Sequence, residues 1–171
     1  TEIPTSESDR GAVTVIDMNG GEQAVQSVKS TTLSKGNSRD GDGTWTYGFE
    51  LIEGFAALDI QNDTLPLTLY VDSIVNIASD VEDDTAFLYG IGTKFDRWSL
   101  DYNYRDIEAD AIIGLLADGT FAGGGTGGKG HKLKAKYVLM KNWTAAGTYF
   151  ITEDRNGRDV DTLQLDLVVT F

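Results

Sequence analysis

From residue 45 onward, apolar and polar side chains alternate along long stretches of the chain. That period of two marks β-strands with two chemically different faces. The last stretch is the cleanest. Leu163, Leu165, Leu167, Val169 and Phe171 share one face, and Thr162, Gln164, Asp166, Val168 and Thr170 share the other. Over 130–139, Leu133, Ala135, Tyr137 and Leu139 oppose Lys132, Lys134, Lys136 and Val138. Trp98, Leu100, Tyr102 and Tyr104 oppose Ser99, Asp101, Asn103 and Arg105, and Leu65, Leu67, Leu69 and Val71 oppose Thr68, Tyr70 and Asp72. Further strands are expected at 45–60, 85–95 and 143–152. In the first of these the alternation breaks at Gly54, which predicts a bulge or kink there.

The connections fall into two alternating kinds. Short ones are expected at 61–63, 96–97 and 140–142, and long ones at 34–44, 78–84, 107–129 and 153–159. Outer-membrane barrels segregate their connections in this way, with short periplasmic turns and long outer loops. A strand over 64–77 extends roughly 46 Å at about 3.3 Å per residue. Tilted by about 45°, it rises far enough to cross a ~25 Å apolar band. The large aromatics sit at two levels. Trp98 and Trp143 directly follow short turns and Phe171 ends the chain beside them, while Trp45, Tyr47, Tyr102 and Tyr104 lie near long loops. Amphipathic rings at two levels form the girdles of a membrane barrel; as ordinary core aromatics, the tryptophans would have no reason to cluster beside turns.

The pattern therefore predicts an all-β fold, an antiparallel up-and-down transmembrane β-barrel, of which about seven to nine strands are present. Residues 1–44 form an N-terminal part with outer loops and two weak strands, at 12–18 and 24–32, joined at Asn19-Gly20-Gly21. Residues 45–171 supply seven strands. The chain opens at Thr1 without an initiator Met or a signal peptide, which is expected of a processed protein or of a portion of a longer one.

Composition narrows the chemistry. The chain has no cysteine, so disulfides, thiol nucleophiles and cysteine metal sites are excluded. Its formal charge of -13 repels phosphate backbones and argues against nucleic acid as a partner. Much of that acidity lies in 34–44 and 78–84, in stretches that read as solvated loops. Asp40, Asp42, Asp80, Glu82, Asp83 and Asp84 offer hard oxygen ligands, but Asp-x-Asp-Gly at 40–43 has no Glu at the twelfth position of a calcium loop. His131 is the only histidine, which leaves no zinc set, and interfacial packing at the outer rim is expected of it. No metal, cofactor or catalytic group is expected.

By alternation, Asp72, Asp101, Asn103, Arg105, Lys132, Lys134, Lys136, Gln164 and Asp166 face a lumen, where polar side chains keep a channel wet and charged ones bias which ions pass. Trp45, Trp98, Tyr102, Trp143, Leu165, Leu167, Val169 and Phe171 face lipid. The three alternate lysines read either as an anion-attracting patch or as partners of acids such as Asp101 and Asp166. The longest loop, 107–129, either folds inward as a constriction or caps the strands. Its segment 109–116 is apolar enough for a short helix, and the glycines 123–128 give free turning.

The runs DYNYRDIEADA (101–111), FAGGGTGGKGHK (121–132) and KNWTAAGTYFI (141–151), with a terminal strand closing in Phe171, resemble the bacterial putative porin family. The resemblance spans about 45–171. It implies a Gram-negative outer-membrane channel for passive diffusion of small hydrophilic solutes or ions, with no enzymatic residues to carry over. It implies contacts with outer-membrane lipid and lipopolysaccharide, recognition of the strand ending in Phe171 by the barrel-assembly machinery, and more strands upstream. It leaves self-association into a homo-oligomer open. Two other readings remain: a plugged structural or adhesive outer-membrane barrel, and a soluble lipocalin-like ligand-binding barrel with its apolar faces inside.

Overall fold

A computed structural model describes Val13–Ile16, Glu22–Val25 and residues 35–170. Most of the alternating sequence becomes strand, although 45–48 and 64–66 stay outside the strands that follow them, and no α-helix forms among the described residues. The strands are β1 (Val13–Ile16), β2 (Glu22–Val25), β3 (Phe49–Ile60), β4 (Leu67–Asn76), β5 (Thr85–Phe95), β6 (Trp98–Ile107), β7 (Gly128–Met140), β8 (Trp143–Glu153) and β9 (Asp159–Val169). They form one open sheet in the order β2-β1-β3-β4-β5-β6-β7-β8-β9. From β3 to β9 every neighbour is the next strand in sequence and every pairing is antiparallel, an up-and-down meander. β1 and β2 pair as an antiparallel hairpin, but β1 joins β3 in parallel, so the N-terminal hairpin is attached by a crossover. Phe171 lies outside the described residues.

Two expectations are corrected. β3 pairs with β4 without interruption from Leu51–Asn76 to Ile60–Leu67, so Gly54 makes no bulge; a Cβ there would meet open space. The irregularity lies instead between Val138 and Met140, where β7 turns into β8. Nor does 109–116 form a helix. The Asn37 side-chain amide donates to the carbonyls of Ala109 and Ile112 at 2.7 Å each, and its oxygen accepts the Gly114 N–H at 2.8 Å. The backbone groups a helix would pair within itself are taken by a side chain more than seventy residues away. One 3-10 turn, Phe121–Gly123, is the only helical piece of the loop.

Register fixes the faces, because directly paired residues project to the same side. The row Leu69–Ile91–Tyr102–Leu133–Tyr149–Leu163 runs across β4 to β9, and Leu67–Thr93–Leu100–Ala135–Gly147–Leu165 runs beside it. This apolar face is open: Leu163, Leu165 and Leu167 are 64%, 75% and 58% exposed. The fully buried side chains, Phe49, Phe121, Phe150, Asn37, Asn76 and Asp110 among them, gather where the long connections pack against the strand ends.

Candidate functional site

The opposite face is polar at its centre. Asp72, Asp101, Asn103, Arg105, Lys132, Lys134, Lys136, Gln164 and Asp166 all fall on it by register. Its floor along β5 is nearly bare, because Gly90 and Gly92 carry no side chains there. Tyr70 of β4 fills that space: a Cβ on Gly90 would run into the Tyr70 ring and the Tyr102 carbonyl. The phenol crosses β5 to donate to Asp101 Oδ2 at 2.8 Å, and it accepts from Asn103 Nδ2 at 3.2 Å. Asn103 also donates to Asp101 Oδ1 at 3.3 Å, and Arg105 Nε donates to Asn103 Oδ1 at 3.0 Å. Four polar groups from two strands thus form one connected network, each member fixing its neighbour.

The connection between β6 and β7 lies over this face. Ile112, Leu116, Ala117 and Asp118 of the loop and Asp72, Ile74, Leu88 and Arg105 of the sheet line an open cleft of about 170 Å³. Further along, Phe121 is 1% exposed, with the Arg105 guanidinium 5.4 Å from its ring centre and Phe150 set edge-on at 6.4 Å. Asp118 bridges two strands, 3.2 Å from Arg105 Nη1 and 3.7 Å from Lys132 Nζ. Burial pushes the Asp118 carboxyl upward. That is outweighed by the Thr120 N–H and the charges of Lys132 and Arg105, which leave it below the usual carboxylate value of 3.8.

The base of the loop is locked backbone to backbone. Thr126 N–H donates to the Lys35 carbonyl at 2.8 Å. Gly125 approaches that carbonyl so closely, at a φ of 95°, that no other residue fits. Asp110, 1% exposed, accepts the Ser38 N–H at 2.9 Å, and its own carbonyl accepts from Asn76 Nδ2 at 2.8 Å.

On the apolar face, aromatic side chains form two levels. Towards the long loops lie Phe87, Tyr89 and Tyr104, with Tyr102 and Tyr149 in the middle row and the Tyr102 hydroxyl 2.9 Å from His131 Nδ1. Near the short turns lie Phe95, Trp98, Tyr137 and Trp143, with Trp98 and Tyr137 4.7 Å apart. Leu165, Leu167 and Val169 share this face. Trp45 does not. It precedes β3 and packs edge-on against Phe49, a residue of the other face, because an isolated bridge to Arg39 turns the chain back before the strand begins.

In the connection before β3, Asp42 accepts from the Thr44 N–H and hydroxyl and Asp40 from the Thr46 hydroxyl, so both carboxylates stabilise turns. No group of three or more acidic, histidine or cysteine side chains converges on a metal position among the described residues.

Residues 89–171 match the family model of the putative porins. This stretch is similar to that family. The match begins within β5 and takes in β6 to β9 together with the overlying loop, so the matched segment contains most of the polar network and, Phe87 aside, both aromatic levels. No curated protein and no solved structure matches the chain. No helix is long and apolar enough to cross a membrane, which says nothing of strands.

Asp118, Phe121 and Asn37 are absent from the residues that alternation singles out, and Tyr70, placed on the polar side of its strand by alternation, is absent from the lumen-facing set. Only Tyr70 has a local signal, the Gly90-x-Gly92 spacing that empties one face of the adjacent strand.

Proposed function

We propose that the sheet is part of an outer-membrane barrel whose polar face lines a water-filled channel for small hydrophilic solutes or ions. One observation carries the reading: the apolar face of seven strands is exposed, while the charged face is the one a long loop covers. Soluble proteins rarely expose a contiguous apolar patch of more than a few hundred Å². Lipid is the solvent that such a face fits. The aromatic levels support it, since Phe87 and Phe95 on β5 are eight residues apart. At ~3.3 Å per residue that is roughly 26 Å along the strand. Tilted by ~40°, it rises about 20 Å, comparable with the ~25 Å apolar band of such barrels. The two longest connections, 77–84 and 108–127, share one end of the strands with 154–158, and the two-residue turns at 96–97 and 141–142 share the other with 61–66. The six-residue 61–66 is longer than the five-residue 154–158, so the segregation expected of outer and periplasmic sides rests on the other four.

In this reading the loop between β6 and β7 narrows the channel, and the acidic outer connections meet lipopolysaccharide. Outer-membrane insertion of a strand ending in Phe171 by the assembly machinery belongs to the same proposal. A lipocalin-like interior is disfavoured, because the polar network and not the leucine rows lies beneath the loop.

The test is reconstitution of the intact protein into liposomes loaded with an impermeant polymer, followed by dilution into sugars of graded size. Swelling that is faster for smaller sugars is expected. Folded protein that inserts, shifts on unheated gels and yet admits no solute would refute the channel and favour a plugged structural barrel. Protein that stays monodisperse without detergent would refute the membrane barrel itself.

A further inference from the structure

The charge on the polar face is not distributed as it is over the chain. The protein carries a net -13, yet the polar-face positions of β5, β6 and β7 hold five basic side chains and one acidic one. The basic ones are Lys94, Arg105, Lys132, Lys134 and Lys136, and the acid is Asp101. Arg105 and Lys132 share the single carboxylate of Asp118 beneath the loop, which leaves that group a net charge of +1. Asp101, the register partner of Lys134, has its oxygens engaged by Tyr70 and Asn103. Asp166 lies a full strand away from Lys136, across Ala146. Lys134 and Lys136 form no ion pair or hydrogen bond with a described residue. With Lys94, and with the carboxylates of Asp59 and Asp101, they border an open hollow of about 450 Å³ on the polar face, towards the short turns and away from the loop.

From this we infer that the stripe formed by β5 to β7 is an anion track, and that Lys134 and Lys136 make the channel favour small anions over cations. The inference rests on the channel reading and names its solute class. Other polar-face positions on β3, β4 and β9 carry acids (Glu53, Asp59, Asp72 and Asp166), so the wall has a basic stripe between acidic borders. The acidic outer connections do not cancel it. From Asp106 at the loop end of β6 to Ser99 beside Lys136 is seven residues, about 23 Å along the strand. That is more than two screening lengths of ~8 Å at physiological salt. A lysine at about 7 Å from a passing monovalent anion in water attracts it by roughly one RT, about a threefold enrichment for each charge.

The test is zero-current potential across a planar bilayer holding the intact protein in a potassium chloride gradient. Wild type is expected to pass chloride over potassium. Lys134→Glu with Lys136→Glu should lower the chloride-to-potassium permeability ratio by about threefold or more, with open channels retained. Lys129→Glu, on the apolar face at the rim, should leave the ratio unchanged and controls for net charge. Open channels that prefer potassium in wild type, or a ratio that the double variant leaves unmoved, would overturn the anion track while sparing the channel. Inserted protein with no conductance at all would overturn both.

Discussion

Phe121→Ala separates what holds the β6–β7 loop from what holds the sheet. The ring is 1% exposed and wedged between the Arg105 guanidinium and the edge of Phe150. Truncating a fully buried phenylalanine costs about 3–5 kcal/mol, a range that includes its aromatic and cation–π contacts. The other distal anchor is weaker. Asp118 and its partners Arg105 and Lys132 are 29%, 17% and 17% exposed, and a partly solvated pair contributes about 1 kcal/mol or less. The base of the loop is held independently, by Asn37 at residues 109, 112 and 114 and by Thr126 on Lys35. The expected result is therefore local: residues 115–124 lift from the polar face while 109–114 stay docked and every strand ladder persists. Hydrogen exchange of the intact protein in detergent micelles reads this directly. Protection should fall in the distal segment alone, and single-channel conductance should rise as the wall is uncovered. Unchanged protection over 115–124 would refute the packing argument. So would an Asp118→Asn variant that loosens the segment more than Phe121→Ala does.

Leu167→Arg should destabilise the inserted protein by about 2–4 kcal/mol in urea unfolding from lipid vesicles, whereas Gln164→Arg on the opposite face of β9 should be near neutral. Equal costs would contradict the assignment of faces. Gly90→Ala forces a Cβ into the Tyr70 ring and should cost about 1–3 kcal/mol in the same assay, less in a Tyr70→Ala background. For pH dependence the sign follows from Asp118, whose folded-state value lies below its ordinary 3.8. The stabilisation is complete above the unfolded value and is lost as pH falls through the lower folded one. Loop protection measured by exchange should therefore hold from neutrality to about pH 4 and fall only below it, and Asp118→Asn should abolish that step.

Period-two alternation made the seven strands from β3 to β9, their pairing order and their two faces readable, because register in a sheet with one apolar side tolerates no slip. β5 begins and ends where its pattern does, between an acidic run and an Asp-Arg turn. What failed depended on distant partners. The apolar residues of 109–116 suggest a helix until Asn37 intercepts their backbone. Asp118 and Phe121 read as loop residues until the fold brings Arg105, Lys132 and Phe150 beneath them. Gly54 suggests a bulge, yet an unbroken ladder with β4 carries it through. Trp45 reads as a girdle residue by its position after a loop, but the bridge to Arg39 redirects it.

The close backbone contact between 35–37 and 124–126 divides the exposed surface into positions that accept foreign sequence and positions that do not. Peptide inserted at Gly36 or Gly125 would have to displace a neighbouring main chain, whereas Gly41 and Gly119 have nothing within 4 Å of an added side chain. An inserted tag is therefore expected to be tolerated at 41, in the connection before β3, and to disrupt folding at 36 or 125.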